Sequence, residues 1–126
     1  MTMSRDFKEH LLDLLATLGP VEARRMFGGG GLYLDGTMFA LVADDVLYLK
    51  ADDGNREDFE AAGVPPFTYQ RRGKSVALGY FQAPEDILDD AEELSAWSRR
   101  AWEAARRSGA KAGKAETARK KGRSAA

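Results

Sequence analysis

The sequence predicts an α+β fold: an antiparallel sheet of about five strands built from hairpins, flanked by three helices, with a basic C-terminal tail that stays disordered. Three observations carry this. Asp35-Gly36 lies between two alternating apolar runs, residues 5–18 repeat large apolar residues at helical spacing, and the segment after Pro84 begins acidic and ends basic.

The first element is an amphipathic helix. Phe7, Leu11, Leu14, Leu15 and Leu18 share one stripe, Ser4 is placed to cap the first turn, and Gly19-Pro20 stops it. After Arg24-Arg25-Met26-Phe27 comes the run Gly28, Gly29, Gly30, Gly31, followed by a hairpin whose turn, Asp35-Gly36, suits the positive φ that a type I′ turn requires at both central residues. Each glycine in a strand costs ~0.5–1 kcal/mol relative to alanine. The run therefore marks a bulge or a close approach of backbone or a bulky ring, with Gly31 expected beside Ala40.

With a two-residue loop, Leu32, Leu34, Phe39 and Leu41 fall on one face of the hairpin, and Tyr33, Met38, Ala40 and Val42 on the other. The next strand, 46–51, alternates Leu47 and Leu49 with Val46 and Tyr48. A sheet apolar on both sides is either covered twice or covered once and used as an interface. Residues 55–62 read as a short helix with Asn55 as its cap and Gly63 as its stop. A second hairpin, 67–81, turns around Arg72-Gly73-Lys74. The last helix carries Leu94, Trp97, Ala101 and Ala105 on its buried stripe, with Ala91 and Trp102 at the margin. The first and last helices are expected on the same face of the sheet.

The chain of 126 residues has no cysteine and one histidine, which excludes disulfides, thiolate nucleophiles and Cys- or His-rich metal sites. No apolar run approaches the ~20 residues of a membrane span, so a cytoplasmic protein without membrane contact is expected. The net charge of −1 hides a split: residues 1–105 carry 11 basic and 19 acidic residues, whereas 106–126 carry eight basic and one acidic. Attraction to polyanions would therefore come from the arm, through Lys111, Lys114, Arg119, Lys120, Lys121 and Arg123.

Catalytic patterns fail on inspection. The glycines lead into a strand rather than a helix N-terminus, and a dinucleotide fingerprint would put its third glycine at Tyr33 or Leu34. His10 has no serine placed opposite it, and the carboxylates after Pro84 follow helix-start placement. In the second hairpin Phe67, Tyr69, Tyr80 and Phe81 read as a core-facing aromatic set with a basic turn.

Taken together, "RRMFGGGGLYLDGTMFALV", "VLYLKAD", "PPFTYQRRGK" and "GYFQAPEDILDDAEELSAWSRRA" resemble the N-terminal domain of the TfoX/Sxy family, bacterial proteins associated with regulation of natural competence. The resemblance spans about residues 5–105 and is most specific at Arg25-Met26-Phe27-Gly28-Gly29, at Tyr48-Leu49-Lys50, at Pro66-Phe67 with Tyr69, and from Tyr80 through Pro84 to Trp97. It implies an α+β domain without known catalytic residues or cofactor. It also implies a transcriptional co-regulator, which in the founding members works with the cyclic-AMP receptor protein. Longer members carry a second, helical domain; here a domain at 1–107 is followed by a tail at 108–126, the pattern expected of a short member.

The expected function is a non-enzymatic regulatory or interaction domain that binds a protein partner such as a transcription factor. Homodimerisation through Tyr33, Met38 and Tyr48 is one way to cover the second sheet face. The rival is a protein held non-specifically on DNA or RNA by its tail, and the third class is a small-molecule or nucleotide enzyme. Gly28, Gly29, Gly30, Gly31 and Gly36 are expected to act structurally.

Overall fold

The structure, a computed structural model, describes residues 3–26 and 29–125; the side chains at 26, 69–71, 75–78 and 110–125 are outside that description. Helix α1 (Arg5–Leu14) starts where the sequence placed it, with Phe7 N donating to Ser4 Oγ at 3.2 Å. It tightens into a 3₁₀ turn over Leu15–Thr17, and Gly19 then turns the chain at φ 148° into the strands.

The strands are β1 (Glu22–Met26), β2 (Gly29–Leu34), β3 (Thr37–Ala43), β4 (Val46–Lys50), β5 (Pro66–Arg71) and β6 (Lys74–Gln82). They form one six-stranded antiparallel sheet in the order β1-β2-β3-β4-β6-β5. The added strand relative to expectation is β1, whose run of charged residues hides its alternation. Two-residue turns close three hairpins, with both central residues at positive φ in each: Asp35 and Gly36, Asp44 and Asp45, Arg72 and Gly73.

The register corrects the predicted faces of the first hairpin. Tyr33 pairs with Met38 as expected, but Leu32 then pairs with Ala40, so Phe39 is an extra residue in β3. A bulge of this kind inverts the alternation beyond it. Ala40 and Val42 consequently join Leu32 and Leu34 in the main core, while Leu41 and Ala43 turn to the opposite face with Met38. Gly31 lies opposite Leu41 and not, as expected, Ala40.

Helices α2 (Arg56–Ala62) and α3 (Ala91–Ala125) complete the fold. Residues of all three helices join a single core on one face of the sheet, where Leu11, Leu15, Leu49, Phe59, Leu94 and Ala101 are buried. Phe59 stacks on Phe81 at 5.3 Å and meets Trp97 edge-on at 5.2 Å. Burying a side chain of this size contributes ~1.5–3 kcal/mol, so this face dominates stability. Polar ties fix the helices in register. Trp102 Nε1–H donates to the Leu34 carbonyl at 2.9 Å, His10 Nε2 reaches the Leu88 carbonyl at 2.7 Å, and Thr17 Oγ1 meets Ser95 Oγ at 3.0 Å.

Two caps differ from expectation. Asn55 makes no capping bond to α2; its Oδ1 accepts from Asp52 N and its Nδ2 donates to the Lys50 carbonyl, which ties off the β4–α2 loop from inside. The cap of α3 is Asp90, whose Oδ1 accepts from Glu92 N and Glu93 N, so Glu85, Asp86 and Asp89 precede the helix. Ser98 and Ala104 join the buried stripe of α3, and Trp97 is only partly buried. Among the described residues the last core residue of α3 is Ala105. The helical backbone continues beyond it to Ala125, and helical bonds alone leave a segment marginal in water.

Candidate functional site

The face of the sheet opposite the helices carries a second, smaller apolar cluster. Leu41, Ala43 and Tyr80 are buried there, and Met38, Tyr48 and Phe67 pack against them while staying partly exposed. No helix residue belongs to this cluster among the described residues. The pleat explains the membership: Leu41 pairs with Tyr48, Met38 pairs with Tyr33, and Lys50 pairs with Tyr80, each pair lying on the same side. Phe67 meets Tyr48 edge-on at 4.8 Å between centroids.

Two cations frame the aromatics. The Arg24 guanidinium lies 4.4 Å from the Tyr33 ring centroid, and Lys50 Nζ lies 5.0 Å from that of Tyr80. Burial first, and the neighbouring Tyr33 second, push the Tyr80 hydroxyl up to about 12. Burial likewise lowers the Lys50 ammonium, against the opposing pull of Asp52. The result is an aromatic, hydroxyl-bearing surface with a cation at either end.

All of Tyr33, Met38 and Tyr48, singled out from the sequence, lie on this face. Sequence reasoning missed Leu41, Ala43, Arg24 and Lys50. The period-two phase from Tyr48 pointed to Lys50, but the bulge at Phe39 hid Leu41 and Ala43. The aromatic set of the second hairpin divides: Phe81 faces the core against Phe59, whereas Phe67 and Tyr80 belong to the open face. Tyr69 is outside the described side chains.

The glycine run acts through close approach. A Cβ on Gly29 would run into the Val42 carbonyl oxygen, and one on Gly30 would strike the buried Met3 thioether. Gly36 supplies φ 77° in its turn. Gly28 lies outside the described residues, as do the side chains of Lys111, Lys114, Arg119, Lys120, Lys121 and Arg123.

A polar hollow of about 490 Å³ sits elsewhere, at the β4–α2 loop, lined by Ala51, Asp52, Asp53, Gly54, Arg56 and Arg107. Its charges satisfy one another. Arg107 forms a two-pronged pair with Asp52 at 2.7 and 2.9 Å, which raises its own pKa, and Arg56 reaches Asp53 at 3.4 Å. Among the described residues no His, Asp and Glu cluster could hold a metal, and no helix is long and apolar enough to cross a membrane.

The TfoX N-terminal domain model matches residues 13–105, the span that builds the whole sheet, α2 and the packed part of α3. The chain belongs to that family. Within it, the chain is 36% identical over 95 residues to Protein Sxy of Escherichia coli (strain K12), a match covering 74% of this chain and 44% of that protein. It is 31% identical over 78 residues to the DNA transformation protein TfoX1 of Aliivibrio fischeri (strain ATCC 700601 / ES114), covering 62% and 37% respectively. The chain therefore spans less than half the length of these TfoX-family relatives. The TfoX/Sxy family is known for competence-related regulators.

Proposed function

We propose that this TfoX-family domain is a non-enzymatic transcriptional co-regulator that docks a DNA-bound transcription factor on its open sheet face. One observation carries the reading: Met38, Tyr48 and Phe67 remain partly exposed around buried Leu41, Ala43 and Tyr80, with no helix over them among the described residues. A contiguous apolar surface of this kind, rich in tyrosine and rimmed by cations, is the composition of a binding hot spot. The partner named here, the cyclic-AMP receptor protein, is the one that the resemblance implies.

Titration of a purified cyclic-AMP receptor protein with the full chain by isothermal calorimetry tests this. Saturable binding is expected, weakened at least tenfold by the double change Met38→Asp and Tyr48→Asp, with circular dichroism unchanged. Absence of binding, or equal binding by the variant, overturns the reading. Sedimentation of the chain alone at high micromolar concentration separates the homodimer, in which a second copy would cover the same face.

A further inference from the structure

The second hairpin outruns the sheet to which it belongs. β6 pairs with β4 only across Tyr80, Phe81 and Gln82, with one further bond from Ala51 N to the Gly79 carbonyl. Its pairing with β5 continues much further, through Thr68 with Ala77, Tyr69 with Val76, Gln70 with Ser75 and Arg71 with Lys74. A bulge around Gly79 takes up extra residues of β6, so the reach of the hairpin is that of β5 from Phe67 to Arg71. At ~3.3 Å per residue, the turn stands ~13 Å beyond the last rung shared with β4. Among the described residues no other strand pairs with this part of the hairpin, so residues 68–78 form a two-stranded ribbon.

The charge of the ribbon is opposite to that of the body. Residues 66–82 contain Arg71, Arg72 and Lys74 and no Asp or Glu, whereas residues 1–105 as a whole carry 11 basic and 19 acidic residues. Arg72 and Lys74 are exposed. The carboxylates that follow β4 near the ribbon's root, Asp52 and Asp53, are paired to Arg107 and Arg56. With a Debye length of ~8 Å at physiological ionic strength, a tip ~13 Å out lies beyond one Debye length from the acidic body. The turn is tight, with Arg72 at φ 53° and Gly73 at φ 78°. A left-handed conformation costs a residue with a Cβ ~1–2 kcal/mol, so the turn holds an arginine where glycine or asparagine would fit at less strain.

We infer that this ribbon is a DNA-contacting arm, with Arg72 and Lys74 of its turn neutralising backbone phosphates as the ribbon lies at the major groove of a duplex. The B-form major groove is ~12 Å wide and admits a two-stranded ribbon. The major groove of an RNA duplex is deep and narrow, which selects DNA. Such contacts fix position without reading sequence. The inference goes beyond the docking surface and is independent of it, because the arm acts on bare DNA while the open face engages protein.

The test is fluorescence anisotropy of the full chain on a DNA duplex of about 20 base pairs, over a salt series from about 50 to 200 mM. The parent is compared with R72Q/K74Q, with Arg72→Gly alone, and with a chain whose six tail cations are replaced by glutamine. Each phosphate contact contributes ~0.9 to the slope of log K against log salt. The double variant should lose ~2 from that slope and bind at least tenfold more weakly. Arg72→Gly, which relieves the turn and preserves the hairpin, should lose ~1. The tail variant should shift the baseline and leave the ribbon-dependent loss in place. Unchanged slope and affinity in Arg72→Gly and the double variant overturn the inference. An equal loss on an RNA duplex of the same length overturns the assignment to DNA. No protein partner is present, so failure here leaves the docking surface standing, and failure there leaves the arm.

Discussion

The two faces of the sheet are built from the same strands and solve opposite problems. The covered face is filled mainly with aliphatic residues and phenylalanine, Leu32, Phe39, Leu47 and Leu49 among them, sealed by residues of three helices. The open face gathers tyrosines, whose rings give apolar area while their hydroxyls tolerate water, and sets cations beside them. The difference teaches that stability and interaction are separable here by side-chain parity along a strand. Leu49 serves one and Tyr48 the other.

The largest expected effect breaks the covered face. Phe59→Ala removes contacts to both Phe81 and Trp97 from a fully buried site and should cost ~3–5 kcal/mol in urea unfolding. Tyr48→Ala should cost markedly less, and comparable losses would mean that the open face is core. Next is Gly29→Ala, whose methyl group meets the Val42 carbonyl in a place where backbone must move, at ~1–3 kcal/mol by thermal denaturation.

Alkali sharpens the contrast from the other side. The Tyr80 hydroxyl is raised from 10 to about 12 in the folded protein, so the unfolded chain releases its proton first. The resulting stability is intact below pH ~10 and is lost as pH climbs toward 12, by roughly 1–2 kcal/mol after solvent screening. The lowered pKa of Lys50 has the opposite sign, stability rising with pH below 10.5. The difference between parent and Tyr80→Phe, measured by urea unfolding across this range, isolates the tyrosine. A parent and variant with the same alkaline slope would contradict it. The smallest effect is Trp102→Phe, which forfeits the bond to the Leu34 carbonyl and trims the ring under Arg106, and should cost ~0.5–1.5 kcal/mol by denaturant melts.

Much of this architecture was legible in the chain because its signals are local. Ser4 caps α1, Asp35-Gly36 makes its turn and Gly63 ends α2 in the left-handed conformation, each through bonds or dihedrals within a few residues. The losses are tertiary. β1 is written in Glu22, Arg24 and Arg25, whose charges mask a strand that pairing with β2 creates. Asn55 looked like a helix cap and became a loop brace, because Asp52 N and the Lys50 carbonyl stand closer to it than the helix amides. Tyr33, Met38 and Tyr48 were found by alternation alone. Their neighbours Leu41 and Ala43 were not, since one unpaired residue changes the phase of a strand without changing its composition.

That unpaired residue makes β3 a strand with two phases. A chain shortened by Phe39 would keep Ala40 opposite Leu32 and Leu41 opposite Gly31, so both faces would hold their membership and the loss would fall on the interior that Phe39 fills. Such a molecule would be weakened in its scaffold while its outward mosaic stayed intact.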